Sequence, residues 1–570
     1  MKWILPAVLI LSIGLAILFR VVLPFGNVFN DGVQLNTPDG YLMVRYADCW
    51  PDIPKYDYFL DYFEGSRVTI TVWPTVIAIV ARLTGLTNME SAAVLPPLLF
   101  LLTLIPVYVI GRTLFNKWTA VGAVAIFCLL PGDLLNRTML GAADYHAWEI
   151  FLAANVMSLV ILAIYNYKDV VHCVAYSVSA VVLWLVYWAS WPGALWLVFV
   201  LGIAFAVWLY VTTKRRVLWI LYTAVLVWIA GMVFYFMPVK AMFYLNEMIK
   251  MFSLNLGATV TEEMSLFFSF GKFDLNTSWL YFGVTLYFAL IGLGWMVYRY
   301  VKERKAVDLV FLIWTLVSLA MMICRRRYDY YFAINAAIVA SFVMVAVAQY
   351  LSISKANKIK IAVVVLMAVC LPLIRADVYI STADTYMSQG WRDATQFLRA
   401  EKEKYDMKQY PYTMKIMGVE VFNWVSYNVE RLDSYYTGDK YNYGVFSWWD
   451  YGYWIIEESH LPTYCEGSER DLEGSILVAT DPERALASLR TLKMRYVVVG
   501  QEMLTTKWYP ISKGKIAPAL EMSVTYGTSL PWGTVRQEDT LVYKLVNAEE
   551  VQGFKRVFLS ENVTVYEVMK

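Results

Sequence analysis

Long apolar stretches separated by short polar connections make up the first two thirds of the chain. A helix needs about 20 apolar residues to cross the hydrocarbon core of a bilayer, which is about 30 Å thick. By that measure the pattern predicts eleven membrane helices. They cover residues 3–23, 92–110, 118–135, 147–165, 170–188, 192–211, 217–237, 279–298, 307–323, 331–350 and 361–374.

Lysines and arginines orient these helices, because positive residues in short connections favour the cytoplasmic side. They fall in alternate connections, for example at Lys2, 214–216 and 355–360. This predicts a cytoplasmic N-terminus, an extracytoplasmic C-terminus and an odd number of spans, eleven to thirteen. The stretch Val68–Leu83 would break that parity, so it is predicted to be a short helix at the outer surface. The long outer loops are then 24–91, 136–146 and 238–278.

The pattern changes after residue 374, where charged and aromatic residues mix. Helical spacing recurs around Trp391–Lys404, and strand-like runs occur at Arg495–Gly500 and Asn562–Val568. The chain is therefore predicted to be a polytopic α-helical membrane domain, residues 1–374, followed by a mixed α/β extracytoplasmic domain, residues 375–570. The second domain is large enough to form its own core.

Composition supports a membrane protein and narrows the function. Of the 570 residues 59% are hydrophobic and 16% are charged, against about 45–50% apolar and about 25% charged residues in soluble domains. The net charge of +2 is too small for a protein that binds polyanions, so nucleic acid is excluded as a partner. A transporter is one alternative, although the sequence lacks the broken spans and internal symmetry that transporters show.

The pentapeptide Trp448–Gly452, Trp-Trp-Asp-Tyr-Gly, is the most specific motif in the chain. Two indole N–H donors beside the carboxylate of Asp450 form a compact hydrogen-bonding cup that suits a small hydroxyl, such as that of Ser or Thr. With Ser447 before it and Tyr453 after it, the motif resembles the signature of the catalytic subunit of oligosaccharyltransferases.

This resemblance implies a glycosyltransferase C-type fold and an activity. The implied reaction moves a glycan en bloc from a dolichol-type phosphate lipid to the side-chain amide of asparagine in Asn-X-Ser/Thr, with inversion at the sugar. It also implies an archaeal, short-type enzyme that is active as a single subunit, with Trp448, Trp449 and Asp450 binding the acceptor sequon.

Four further positions match the family's metal-binding residues, namely Asp39, Asp144, His146 and Glu262. Three carboxylates and one imidazole make a hard donor set suited to Mn²⁺ or Mg²⁺, and the resemblance implies this divalent metal. Asp39 and Glu262 are also the candidate catalytic carboxylates, since hydrogen bonds to the amide N–H₂ would weaken its conjugation. Asp31 is an alternative to Asp39, and Glu263 is an alternative to Glu262.

Two other elements follow from the resemblance. Arg327, in the cluster 325–327, is placed beside the lipid phosphates and the acceptor peptide, where a guanidinium fork suits both. Lys507 and Ile511 match a second sequon-binding pattern, but Leu504 stands where the family has Asp. Glu502 is the alternative acid, the element is either a helix or a loop, and Pro510 is expected to end any helix.

The main alternative function is another glycosyltransferase of the same membrane fold, which uses a lipid-phosphate sugar to elongate a glycan. Such an enzyme would share Asp39 and the outer loops. It would have no need of Trp448–Gly452 or of a peptide-binding C-terminal domain, so these features distinguish the two functions.

Overall fold

A computed structural model gives the architecture of the chain. It describes residues 3–30, 32–53, 56–57, 66–67, 72–213, 245–246, 248–254, 263–269, 272–350, 355–383, 386–404, 409–411, 415–416, 419–420, 439–441, 443–464, 470–513, 523–524 and 534–569. By internal contacts the chain divides into two units. The first comprises residues 1–30 and 94–384, and the second comprises residues 31–93 and 385–570.

The first unit is helical. In chain order its helices are Ile4–Ile17, Phe25–Phe29, the greater part of Asn88–Leu114, Lys117–Cys128, Asp133–Asn136, His146–Tyr165, Val170–Ser190, Leu195–Thr213, Asn276–Phe282, Thr285–Glu303, Ala306–Cys324, Asp329–Tyr350 and Lys355–Ser381. A two-stranded hairpin, Phe268–Ser269 with Lys272–Phe273, lies between them.

Six helices among the described residues are long and apolar enough to cross a membrane, or seven if one bent pair counts as a single span. Each of the six overlaps a predicted window. The windows 192–211 and 361–374 fall on the helices Leu195–Thr213 and Lys355–Ser381, and 217–237 lies outside the described residues. The chain is thus a multi-pass membrane protein.

The predicted span 118–135 is wrong in its extent. The helix begins at Lys117, where Asn116 caps it by accepting hydrogen bonds from Trp118 N and Thr119 N at 2.9 and 3.1 Å. It ends at Cys128, because the chain then turns through Gly132, whose φ of 72° is open chiefly to glycine. A separate short helix, Asp133–Asn136, follows.

The predicted span 279–298 is broken. Asn276–Phe282 and Thr285–Glu303 meet at an angle of 83°. Gly283 makes the corner, with a φ of 52°, and a Cβ at this position would approach Leu373 Cδ2 to 2.9 Å. Glycine meets both requirements of this corner, since it adopts a positive φ readily and has no Cβ to clash with Leu373. The expectation of unbroken spans therefore fails at this place.

The second unit joins residues 31–93 to the C-terminal region. The helix Pro38–Asp48, termed here the loop-1 helix, packs against Gly452–Trp454 and against the π-helical turn Ile455–Ser459. This grouping differs from the predicted division, in which residues 24–91 went with the membrane domain. The predicted boundary at 374 also falls within the helix Lys355–Ser381, because helical structure continues past the apolar run.

A four-stranded sheet forms the centre of the second unit. Its order is Phe554–Ser560, Val563–Val568, Met494–Gly500 and Gly444–Phe446. The first three strands are antiparallel neighbours, whereas Gly444–Phe446 runs parallel to Met494–Gly500. The sequence-predicted strands at 495–500 and 562–568 and the helix at 391–404 match Met494–Gly500, Val563–Val568 and Gln389–Lys404.

The remaining elements of the second unit are short. The stretch predicted as a short surface helix forms the helix Val72–Thr84. Further helices are Arg470–Leu477, Pro482–Thr491, Trp508–Lys513 and Leu541–Val546. Short strand pairs are Tyr56–Asp57 with Ser66–Arg67, Gln409–Pro411 with Asp439–Tyr441, Lys415–Ile416 with Val419–Glu420, and Ser523–Val524 with Thr534–Val535.

His460 makes the stability of the second unit depend on pH. Burial, together with the positive charges of Arg399, Lys402 and Arg45, lowers the pKa of His460 from 6.5 to about 4. The folded protein therefore keeps this imidazole neutral at pH values where the unfolded chain takes up a proton. The contribution of His460 to stability is constant above pH 6.5 and becomes unfavourable as the pH is lowered from 6.5 towards 4.

We predict that His460→Asn flattens this pH dependence. Asn tolerates the left-handed backbone of residue 460, which has a φ of 52°, and it does not titrate. Thermal unfolding of the full chain in detergent, followed by tryptophan fluorescence between pH 7 and pH 5, measures the effect. His172→Asn is the matched control, since the His172 side chain is 61% exposed. Equal pH slopes in wild type and His460→Asn would contradict the assignment.

Candidate active site

Asp144 and His146 lie together at the start of the helix His146–Tyr165. Asp144 Oδ2 is 3.1 Å from His146 Nε2 and 3.2 Å from Arg137 Nη1. Asp144 Oδ1 also accepts a hydrogen bond of 2.7 Å from Tyr145 N. Both Asp144 and His146 are only 3% exposed. The structure therefore brings together two of the four predicted metal ligands.

The electrostatics of this pair suit a cation. Burial alone would raise the pKa of Asp144, but the neighbouring His146 and Arg137 hold it well below its usual range. The side chain is thus an ionised carboxylate. Its oxygen and an imidazole nitrogen lie 3.1 Å apart, and this combination of donors fits a divalent metal such as Mn²⁺.

The second nitrogen of His146 has partners that the sequence analysis missed. Nδ1 lies 3.0 Å from Glu149 Oε2 and 3.1 Å from the Tyr330 hydroxyl. The Tyr330 hydroxyl donates in turn to Glu149 Oε2 at 3.2 Å. The His-x-x-Glu spacing on a helix, which places both side chains on one face, would have indicated Glu149. No local signal indicated Tyr330.

The segment before Asp144 is fixed by a buried arginine that follows the first helix. Arg20 Nε donates to Thr138 Oγ1 at 3.0 Å, and Arg20 Nη1 donates to Cys128 O at 2.9 Å. Leu140 N donates to Arg20 O at 2.7 Å. Arg20 lies in the π-helical turn Leu18–Val22, and its carbonyl is the acceptor for that bond. The sequence analysis did not single out Arg20.

Of the other two predicted ligands, Asp39 and Glu262, the structure describes Asp39. Asp39 lies in the first turn of the loop-1 helix, where its negative charge suits the helix dipole, and it belongs to the second unit. Glu262 and the alternative Asp31 lie outside the described residues. Within the described ranges, which omit Glu262, no group of three His, Cys, Asp or Glu side chains is arranged to hold a metal.

The alternative catalytic residue Glu263 has a partner of its own. Glu263 Oε1 is 3.8 Å from Arg325 Nη1, and Arg325 Nη2 donates to Ser253 Oγ at 3.3 Å. Arg326 N donates to Met264 O at 2.7 Å, and Ser265 Oγ donates to Ile323 O at 2.5 Å. The residues that follow Glu262 are thereby tied to the arginine cluster 325–327.

Arg326 and Arg327 occupy a short 3₁₀ turn, Arg326–Tyr328. The Arg326 guanidinium lies 5.7 Å from the Tyr281 ring centre, and that of Arg327 lies 5.8 Å from the Tyr328 ring centre. Arg326 is buried, whereas Arg327 is half-buried. Of the three arginines, Arg325 lies near the carboxylate of Glu263, and the Arg326 side chain is buried.

The Trp-Trp-Asp-Tyr-Gly motif begins at the carboxyl end of the strand Gly444–Phe446. That strand runs parallel to Met494–Gly500, so both strands end at the same edge of the sheet. Segments that follow parallel strands meet at this edge. The Ser447 hydroxyl holds the start of the motif against the neighbouring strand by donating to Val498 O at 2.9 Å.

Lys507 and Asp450 meet at this edge, with Lys507 Nζ 2.6 Å from Asp450 Oδ2. The Trp391 indole N–H donates to Glu502 Oε1, and the Trp391 ring stacks on Tyr451 at 4.2 Å. Glu502 therefore faces Trp391 through its side chain and approaches Lys507 only through a backbone bond, Lys507 N to Glu502 O at 2.9 Å.

The expectation that Pro510 ends a helix is wrong. Residues 501–504 form a 3₁₀ turn, and the helix Trp508–Lys513 begins after Lys507. Pro510 lies in the first turn of that helix, where a missing N–H costs nothing. Ile511 follows it and is fully buried. Lys507 thus stands at the junction of the turn and the helix.

Comparison with known proteins gives consistent relatives. Residues 60–374 match the family model "Oligosaccharyl transferase STT3, N-terminal". The dolichyl-phosphooligosaccharide-protein glycotransferase 3 of Archaeoglobus fulgidus is 24% identical over 89% of this chain and 70% of its own length.

Three solved structures of an oligosaccharyltransferase from Archaeoglobus fulgidus share the fold at 19% identity. One is a complex with an inhibitory peptide and a dolichol-phosphate, with a TM-score of 0.78 over 98% of this chain and 80% of that chain. Another is tethered to an acceptor peptide containing the NVT sequon, with a TM-score of 0.75 and the same coverage. The third is a complex with Zn and sulfate, with a TM-score of 0.70 over 97% and 79%.

We predict that the Asp450–Lys507 ion pair contributes little to stability, because the Lys507 side chain is 37% exposed. Exposed pairs are worth about 1 kcal/mol or less. Asp450→Asn, Lys507→Met and the double variant, compared by denaturant unfolding of the full chain in detergent, measure the coupling energy. A coupling above about 2 kcal/mol, outside the range of exposed pairs, would mean that the pair holds the fold together.

Proposed function

Because the chain belongs to the oligosaccharyl transferase STT3 family, it is a glycosyltransferase, and we propose that it moves a glycan en bloc from a dolichol-type phosphate lipid to the asparagine of Asn-X-Ser/Thr. The family match covers residues 60–374. Two of the solved relatives, one bound to a dolichol-phosphate and one tethered to an NVT acceptor peptide, support both substrates. The proposed enzyme acts as a single subunit.

The observation that carries the acceptor assignment is a buried donor at the motif. The Trp448 side chain is 1% exposed, and among the described residues nothing accepts a hydrogen bond from its indole N–H. Burying a donor without a partner costs about 1–3 kcal/mol. The hydroxyl of a sequon Ser or Thr supplies the missing acceptor and places its own proton towards Asp450. Trp449, Lys507 and the buried Ile511 complete this proposed site.

The proposed chemistry forms a bond between the asparagine side-chain nitrogen and the anomeric carbon of the glycan. The bond from that carbon to the lipid phosphate oxygen breaks, and attack from the opposite face inverts the sugar. Asp39 and Glu262 accept hydrogen bonds from the amide N–H₂, which weakens the conjugation of the nitrogen lone pair. One of these carboxylates receives the proton that the nitrogen loses.

The proposed metal ligands are Asp39, Asp144, His146 and Glu262. When bound there, Mn²⁺ or Mg²⁺ neutralises the charge that develops on the departing phosphate. The solved relative in complex with Zn and sulfate supports a divalent metal in this class of enzyme. Arg327 contacts the lipid phosphate and the acceptor, since a guanidinium binds such oxygens through two hydrogen bonds.

The distribution of Lys and Arg supports the sidedness of this reaction. With the N-terminus in the cytoplasm, the outer loops and the C-terminal domain share the extracytoplasmic side. The proposed location is therefore the cell membrane, with transfer at its outer face.

We predict that the protein glycosylates an Asn-X-Thr peptide and leaves its Asn-X-Ala counterpart essentially unmodified. Only the first peptide offers a hydroxyl to Trp448 and Asp450. Membranes containing the full chain, isoprenoid-linked glycan and Mn²⁺ are incubated with each peptide, and the product is measured by mass shift.

Trp448→Phe provides the control for this prediction. It removes the indole N–H and keeps an aromatic ring, so KM for Asn-X-Thr should rise by about 3- to 10-fold, as expected for loss of one hydrogen bond. Equal modification of both peptides by the wild type would refute sequon recognition. If the protein instead extends a lipid-linked glycan without peptide, the alternative glycosyltransferase function holds.

We predict that Glu262→Gln abolishes transfer while Glu263→Gln retains most of it. The charge of Glu263 is already offset by Arg325 at 3.8 Å. Glu262 is therefore the carboxylate proposed to act on the amide. Initial rates at saturating peptide and Mn²⁺, with peptide binding measured separately, compare the two variants. Normal turnover in Glu262→Gln together with a dead Glu263→Gln would reverse the assignment.

A further inference from the structure

Glu149 is a buried carboxylate that the proposed mechanism does not use. It is 1% exposed and lies on the helix His146–Tyr165, one turn after His146. Among the described residues its Oε1 atom has no hydrogen-bond partner, whereas Oε2 has two. An ionisable group within a membrane helix is costly and is usually functional. Its position therefore requires an explanation.

The hydrogen bonds of Glu149 are grouped around Nδ1 of His146. Glu149 Oε2 and the Tyr330 hydroxyl lie at Nδ1, at 3.0 and 3.1 Å. Asp144 lies at the opposite nitrogen, with its Oδ2 3.1 Å from Nε2. Because the carboxylate can only accept, a bond to Nδ1 requires the proton to sit on Nδ1. Asp144 can likewise only accept, so Nε2 donates to Asp144 Oδ2 when no cation is bound. A cation at Asp144 would take the place of the Nε2 proton, while Glu149 would keep the other proton on Nδ1.

We propose that Glu149 is a positioning residue for a divalent cation bound by Asp144 and His146. It fixes the tautomer and the ring orientation of His146, and Tyr330 holds the Glu149 carboxylate by donating to the same oxygen. Carboxylates that accept the second N–H of a metal-bound histidine act in this way. The inference rests on the proposed function, because it presupposes that the cation binds at Asp144 and His146.

The test measures cation affinity rather than activity alone. Purified full-length wild type, Glu149→Ala, Glu149→Gln and Tyr330→Phe are titrated with Mn²⁺ in detergent, and free Mn²⁺ is followed by electron paramagnetic resonance. Glu149→Ala should weaken binding by about 10- to 100-fold. Glu149→Gln should lose less, because its amide oxygen still accepts the Nδ1 proton, and Tyr330→Phe should lose about 3- to 10-fold, the cost of one hydrogen bond.

Asp308→Asn is the matched control for loss of a buried carboxylate. Asp308 is 0% exposed and pairs with Arg299 at 2.9 Å near the start of the helix Ala306–Cys324. The Mn²⁺ affinity of this variant should equal that of the wild type. Transfer by Glu149→Ala should recover at high Mn²⁺ with a near-normal kcat, which general damage to the fold would not allow.

The outcomes separate this inference from the proposed function. If the wild type transfers glycan but binds no Mn²⁺, or if it does neither, the proposed metal site or function fails. If the wild type binds Mn²⁺ and Glu149→Ala binds it within twofold, the positioning role is overturned. If Glu149→Ala does not fold, unchanged affinities in both Glu149→Gln and Tyr330→Phe overturn it equally.

Discussion

The need to satisfy charged groups inside an apolar helical assembly governs the first unit. Arg20 is 1% exposed, and it is stabilised by an aromatic face, with its guanidinium carbon 3.6 Å from the centre of the Phe100 ring, as well as by oxygens of the chain. Those oxygens belong to Cys128 and Thr138, on either side of the turn that precedes Asp144. The buried Arg20 side chain therefore holds this irregular stretch of backbone in one conformation by hydrogen bonds. The candidate ligands Asp144 and His146 follow directly after the segment that Arg20 holds.

Parallel strand pairing plays the corresponding part in the second unit. A sheet with only antiparallel neighbours would send the ends of adjacent strands to opposite edges. Because Gly444–Phe446 is parallel to Met494–Gly500, two segments that are distant in sequence leave the sheet on one side. Asp450 and Lys507 come within 2.6 Å as a result. The charge of each side chain is offset by the other, so the pair leaves no unpaired charge at this edge.

The sequence predicts long apolar helices and regular strands well, because each follows from periodicity within one segment. It predicts less where one residue changes the direction of the chain. The 83° corner at Gly283 and the early end of the helix at Cys128 both depend on single glycines with positive φ. Hydropathy averages such positions away. Pro510 gives a second case. Whether a proline ends a helix depends on where the helix starts, and the sequence pattern does not show that this helix starts at Trp508.

The candidate functional residues follow the same division. Asp144 and His146 are two residues apart, and Trp448 to Asp450 are consecutive, so local motifs can identify them. Trp391 and Tyr330 come from distant segments, and their contacts with Glu502 and His146 follow only from the folded chain. Identification of such residues from sequence requires knowledge of which elements pack together. Elementary patterns leave that open.

The packing of the loop-1 helix shows what this long-range information adds. Its buried face includes Tyr41, which is 1% exposed, and the helix contacts Gly452–Trp454 directly after the motif. Asp39 stands in the first turn of the same helix. The helix that carries Asp39 and the segment that carries Trp448–Asp450 therefore belong to one packed unit. The two roles proposed for these motifs, recognition of the acceptor hydroxyl and placement of a carboxylate for its amide, would therefore share a single core, although the motifs lie far apart in the sequence.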